Sequence, residues 1–252
     1  MTEPSIRVER DPPITTLIID RPRVKNALDR AASAELARAL RAFDADAESR
    51  VAVLCGAGGT FCAGADLREL ATGEIYEPWA ASADGPTAQV LGKPVIAAIE
   101  GHACAGGLGI ALWCDLRVID DTAVFGVFSR RVGVPMSDGT TVRLPRLIGL
   151  SRALDLLLTG RAVEAQEALA IGLANRLVPH GEARQAAEAL ARELAAHPQG
   201  ALLCDRRSAH QQFDRPLAEA LRLEAEGSRA ARERDAVRGA AGFVAGQGRR
   251  ER

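Results

Sequence analysis

The chain has 252 residues, 32 basic and 33 acidic, for a formal net charge of −1, so no overall field favours nucleic acid or an anionic membrane as a partner. That length supports one large domain or a core with an appendage, and its longest apolar runs, VIAAI and IALW, are far below the ~20 residues a bilayer crossing needs. The five cysteines (Cys55, Cys62, Cys104, Cys114, Cys204) are odd in number and lack a CxxC pair, which together with the polar opening MTEPSIRVERDPP reads as reduced, buried thiols in a cytoplasmic protein.

In chain order, Ile6 to Glu9 and Ile14 to Asp20 are β-branched runs separated by DPP, which predicts a hairpin. From Arg30 to Ala47 the apolar positions Ala34, Leu36, Ala37, Leu40 and Phe43 recur at helical spacing, and Val51 to Cys55 returns to strand character. GAGGT is a glycine turn, and ADLREL predicts a helix from Ala65. Residues 72 to 92 lack a pattern and read as a mobile surface excursion. Pro94 to Ile99 is a predicted strand, followed by a glycine turn and helix, then strands over Leu116 to Ile119 and Ala123 to Phe128. This alternation predicts an α/β core with parallel pairing. Beyond Gly139 the sequence reads as helices over Thr140 to Ile148, Ser151 to Thr159 with Ser151 as N-cap, Val163 to Ile171, Glu182 to Ala196, Gln199 to Gln212, and Pro216 to about Phe243. Arg176 to Val178 adds one short strand.

Two stretches place small residues directly after a strand and before a helix: GAGGTFCAGADLREL (Gly56 to Leu70) and EGHACAGGLGIALWCD (Glu100 to Asp115). Backbone N–H groups at such turns lack intrahelical partners and are available as donors. Neither stretch ends in the Gly-Lys-Ser/Thr of a P-loop, and neither fits GxGxxG. A nucleophile elbow would need Cys62 or Cys104 in place of serine, and His102 lies too close in sequence to Cys104 to serve as its base in register. Two readings remain for the glycines. They permit close helix-to-sheet packing, or the two turns converge their amides on one oxygen as an oxyanion hole.

FCAGADL, AIEGHACAGGLGIALWCD, AVFG and RLPRLIGLSRALDLLLTGRAVEAQEALAIGLANRLVP together resemble the crotonase superfamily of enoyl-CoA hydratases and isomerases, almost continuously from Ile14 to Pro179. The resemblance implies an α/β, crotonase-like core of ββα turns over residues 1–180. It also implies a C-terminal helical region, 181–252, that trimerises, often as a dimer of trimers. The implied ligand is an acyl-CoA or enoyl-CoA thioester, with coenzyme A present as part of the substrate and no permanently bound cofactor. By position the oxyanion donors fall on the backbone N–H groups of Ala65 and Gly106. Lys25, in RVKNAL with Ala27, is either a phosphate contact or a solvated lysine. Ala63, Asp66, Leu67 and Arg68 would line the adenine and pantetheine side, although Asp66 reads better as a helix cap. Phe243 and the basic tail GRRER either reach a neighbouring subunit's ligand or are solvated.

Hydratases of this family use two glutamates on the water that adds across the double bond. This sequence has Gly109 at the first of those positions and Ser129 at the second. On that reading, Gly109→Glu would restore one missing acid. Asp138, in VGVPMSDGTT, is the candidate replacement, either moving a proton at the acyl carbons or capping a helix through Thr141. Arg130 and Arg131 cannot act as bases and are expected in ion pairs or on an acidic substrate tail. Glu100 reads as structural, and His180, His197 and His210 lack metal spacing. An enolate-stabilising enzyme and an acyl-CoA binding protein without turnover both fit these motifs.

Overall fold

The computed structural model describes residues 4–73, 77–83 and 85–245, in two compact units, Met1–Arg192 and Glu193–Arg252. The strands among them are β1 (Ile6–Asp11), β2 (Ile14–Ile19), β3 (Val51–Gly56), β4 (Val95–Ile99), β5 (His102–Cys104), β6 (Leu116–Asp120), β7 (Val124–Gly126), β8 (Val163–Glu164) and β9 (Arg176–Val178). The α-helices are α1 (Arg30–Ala45), α2 (Leu67–Leu70), α3 (Gly106–Trp113), α4 (Thr140–Ile148), α5 (Leu150–Thr159), α6 (Ala165–Ala170), α7 (Ala183–Ala196), α8 (Gln199–Gln211), α9 (Leu217–Ala231) and α10 (Val237–Val244).

β1 and β2 form the predicted antiparallel hairpin, with Ile6 opposite Ile19 and Asp11 opposite Ile14. β2, β3, β4, β6 and β9 then pair in parallel, giving a six-stranded sheet of order β1-β2-β3-β4-β6-β9. Strands β2, β3 and β4 are buried along their length apart from Gly56, as strands covered on both faces are. Helix α1 starts where the Asp29 carboxylate accepts the Ala32 N–H at 2.8 Å, and it buries Leu36, Leu40 and Phe43 from one face. A second sheet, order β5-β7-β8, was not legible in the sequence. Its first strand is only His102–Cys104, inside the segment read as turn and helix.

Several predicted boundaries move. Helix α2 begins at Leu67, because Asp66 caps it by accepting the Arg68 N–H at 3.0 Å. Ser151 lies inside α5, which starts at Leu150 behind Gly149 with no side-chain cap. Val163 and Glu164 pair as a strand rather than opening a helix. The strand expected to reach Phe128 stops at Gly126 and gives way to a 3-10 turn over Phe128–Val132. In the second unit, α9 and α10 are joined by a π turn over Arg232–Ala236. The excursion after Leu70 is not wholly superficial, since Trp79, Thr87 and Leu91 are buried in the first unit.

Parallel pairing of the neighbours β3 and β4 sends both chains out of the same edge of the sheet. The turns that follow them are the two glycine stretches.

Candidate active site

Three segments are laced together at that edge. On one side, Ala63 N–H donates to Lys25 O at 3.0 Å, Leu28 N–H to Gly64 O at 2.8 Å and Asp66 N–H to Leu28 O at 2.9 Å. On the other, Cys62 N–H donates to His102 O at 2.9 Å and Cys104 N–H to Cys62 O at 3.0 Å. In the parallel bridge between Leu28 and Ala65, both bonds use the amide and carbonyl of Leu28, so the Ala65 N–H faces the opposite way, towards the β5 side. There β5 has ended. Ala105 takes φ +49° and ψ −123°, turning the chain into α3 and leaving the Gly106 N–H at the helix start without an intrahelical acceptor.

Neither the Ala65 nor the Gly106 amide donates to any protein group among the described residues. The two turns touch: a Cβ on Gly64, where φ is +101°, would lie 2.8 Å from the Gly106 nitrogen. A Cβ on Gly107 would lie 2.0 Å from Cys62 O. Both glycines are thus steric requirements of the close approach that brings the free amides together.

Ala65 and Gly106 line one cavity of about 370 Å³, together with Lys25, Ala63, Leu67, Ser129 and Asp138. Its buried floor includes Trp79, Cys104, Ser129 and Asp138. The Cys104 thiol is pushed up to about 12 by burial, with Cys62 adding to the shift and Lys25 and Arg131 opposing it, so it is not a thiolate nucleophile at neutral pH. Burial also raises the Asp138 carboxyl above its ordinary 3.8, with Thr140 and Arg143 pulling the other way. Asp138 Oδ1 accepts the Thr140 N–H at 2.9 Å, and the Thr140 hydroxyl also acts on the carboxyl. The carboxyl therefore both braces the start of α4 and lines the cavity. Ser129 Oγ contacts Met136 Sδ at 3.2 Å.

The relation between Asp138 and Gly109 could not be read from the sequence. A Cβ on Gly109 would lie 2.4 Å from Asp138 Cγ and 2.7 Å from each carboxylate oxygen. The Asp138 carboxyl, delivered from the turn before α4, occupies the volume that a side chain on α3 would enter. The expectation that Gly109→Glu simply restores an acid is corrected by this geometry, because that volume is already filled.

The sequence model of the family described as enoyl-CoA hydratase/isomerase matches residues 9–246. The chain belongs to that family. It is an enzyme of the enoyl-CoA hydratase/isomerase type with the α/β crotonase-like fold. A probable enoyl-CoA hydratase of Mycobacterium bovis is 33% identical over 232 residues, spanning 89% of this chain and 88% of its own. A carnitinyl-CoA dehydratase of Salmonella arizonae is 37% identical over 196 residues, 75% of this chain and 74% of its own. The crystal structure of an enoyl-CoA hydratase from Mycobacterium tuberculosis superposes with a TM-score of 0.91 at 34% identity, covering 97% of each chain. One from Mycobacterium marinum gives 0.90 at 35% identity, covering 98% of each.

Some residues singled out in the sequence lie away from the cavity. Ala27 is buried outside the cavity lining, and its carbonyl accepts from Arg21 Nη1 at 2.5 Å. Asp66 caps α2 and lies 3.8 Å from Arg21 Nη2, and Arg68 is exposed. Arg130 and Arg131 make no ion pair among the described residues. They donate instead to the carbonyls of Leu157 and Gly160, and Arg131 stacks over Phe128 at 4.5 Å. Glu100 is outside the lining, and burial, then Asp120, raises its carboxyl. Phe243 is exposed on α10, and the GRRER tail lies outside the described residues. One group among the described residues, Asp120, Asp121 and His180, brings possible metal-ligand atoms within 4.8 Å of one another. None of the three lines the cavity. Asp120 is already engaged by Thr122 and by the Gly181 amide.

Asn26 was missed by sequence reasoning although it sets the geometry. Fully buried at φ +56°, it accepts the Arg21 N–H at 2.8 Å and donates to Ala57 O at 2.8 Å and Thr60 O at 2.5 Å. It thereby ties the Lys25 loop to the first glycine turn. Trp79 was missed too, because the excursion that carries it has no period to read.

Proposed function

We propose that this protein binds an acyl-CoA thioester, stabilises its enolate through the Ala65 and Gly106 amides, and uses Asp138 to move a proton at the acyl carbons. The observation that carries this reading is the meeting, in one cavity, of two unpartnered main-chain donors with a buried carboxyl. Amides fixed in place before reaction are worth about 3–4 kcal/mol each to a developing oxyanion, and the N-terminus of α3 adds its positive end. A carboxyl raised by burial holds its proton closer to neutral pH and is suited to exchange it with carbon.

Gly109 and Ser129 stand where the family resemblance puts the two hydratase glutamates, and the floor instead offers the single carboxyl of Asp138. One group that accepts a proton from one acyl carbon and returns it to another suffices for double-bond isomerisation, whereas water addition by the usual route uses two. Isomerisation is therefore the step this site supports best. Lys25, Ala63 and Leu67 form the side of the cavity along which coenzyme A would lie. Assembly into a trimer or dimer of trimers, in the cytoplasm, completes the reading. It is supported by the exposed Leu150, Leu154 and Leu158 along α5 and, in the second unit, by the exposed Leu217 and Leu221 along α9.

Incubation with 3-enoyl- and 2-enoyl-CoA esters in deuterated water tests the proposal. Wild type should interconvert them and wash deuterium into the acyl carbons, and Asp138→Asn should bind the same esters without exchange. Exchange at the wild-type rate in the Asn variant would remove Asp138 from the chemistry. Binding without exchange by wild type would leave an acyl-CoA binding protein.

A further inference from the structure

We propose that Trp79 is the end wall of the acyl half of this cavity and restricts the protein to short acyl thioesters. The inference rests on the thioester reading above and adds the class of acyl group to it.

Gly106 carries one of the two free amides, and the indole lies directly against it. A Cβ built on Gly106 would meet Trp79 Cζ3 at 2.6 Å, Cη2 at 3.1 Å and Cε3 at 3.3 Å. The six-membered ring thus covers the oxyanion turn. Although its segment has no regular structure, Trp79 is only 6% exposed. The segment is fastened to the turn that bears Asp138. Ala80 N–H donates to Ser137 O at 3.2 Å. Arg143 bridges from the other side, Nη1 donating to Asp138 O at 3.0 Å and Nη2 to Thr87 O at 2.9 Å. Gly85 packs so tightly that a Cβ there would lie 2.0 Å from Trp79 O.

A thioester oxygen held at Ala65 and Gly106 places the first acyl carbons beside Asp138. The carbons that follow run towards the indole, the one large apolar side chain of the lining that is buried, while Leu70, Phe128, Val134 and Met136 are half-buried and Glu77, Val132 and Pro135 are exposed rim. A short acyl group ends against the indole, and a longer one must displace the indole or return methylenes to water, which forfeits their burial.

The test is equilibrium binding of butyryl-, octanoyl- and dodecanoyl-CoA, saturated esters that bind without isomerising, to the full-length protein and to Trp79→Phe and Trp79→Ala. Wild type should prefer butyryl- over octanoyl-CoA by about tenfold or more, and Trp79→Ala should erase or reverse that preference, on the scale a hydrophobic pocket discriminates methylenes. Trp79→Phe, the milder change, should fall between them and keeps the test decisive if the alanine variant does not fold. Equal affinity of wild type for all three lengths, or an unchanged preference in a folded Trp79 variant, overturns the inference while leaving the thioester reading intact. Failure of every ester to bind wild type overturns both.

Discussion

Replacing Gly109 with alanine puts a methyl group into the space held by the Asp138 carboxyl. The new carbon would sit 2.4 Å from Cγ, whereas ordinary contact begins near 3.4 Å, so one of the two groups must move by about 1 Å. Asp138 cannot swing aside freely, because Oδ1 is held by the Thr140 amide. For stability, alanine in α3 gains about 1 kcal/mol of helix propensity against about 1–3 kcal/mol of overpacking, a net loss of up to about 2 kcal/mol. For turnover, a 1 Å misplacement of a reacting group costs about 10²-fold. Removing the obstruction with Asp138→Ala should make the same Gly109→Ala change neutral or stabilising, giving a coupling of about 1–3 kcal/mol in a double-mutant cycle. Urea denaturation of the four proteins of the cycle measures the coupling, and kcat/KM of wild type and Gly109→Ala measures the displacement. A Gly109→Ala variant with wild-type stability and turnover, and additive behaviour with Asp138→Ala, would refute the shared-volume argument.

Asp138→Asn keeps an oxygen for the Thr140 amide and removes the buried charge. Because burial raises this carboxyl in the folded state, the stability it contributes is full below its unfolded value and is lost as pH rises through the raised one. The Asn variant should therefore gain on wild type as pH rises from 4 towards neutrality, and identical pH profiles of unfolding free energy would exclude a raised carboxyl. Asn26→Ala leaves two carbonyls and one amide without their side-chain partner and places alanine at φ +56°. It should cost about 3 kcal/mol or more, and a loss below about 1 kcal/mol in chemical denaturation would show that the Lys25 loop is held by other means.

The strands β2, β3 and β4, parallel pairing in the core and the course of α1 were legible because apolar patterning is local. The two glycine stretches also announced free amides, since small residues between strand and helix leave donors unpaired wherever they occur. What stayed hidden was tertiary. Gly109 reads as a lost functional position until the Asp138 carboxyl is seen in its volume, and Trp79 reads as one aromatic in an unpatterned stretch until Arg143 and Ser137 are seen holding its segment. Strand β5 is three residues long, below the length at which alternation signals anything. The helix was expected two residues too early, at Ala65, because the capping preference of Asp66 was weighed without its consequence for where helical geometry begins.

Polarisation of one thioester carbonyl by the Ala65 and Gly106 amides, as proposed, can be read from the vibrational spectrum of the bound carbonyl. Asp138→Asn can be loaded with butyryl-CoA labelled with ¹³C at the thioester carbon, so that turnover does not intervene and the labelled stretch stands apart from the protein amides. This stretch should move to lower frequency on binding, as single-bond character grows under two hydrogen bonds. A bound carbonyl vibrating at its aqueous frequency would contradict that polarisation.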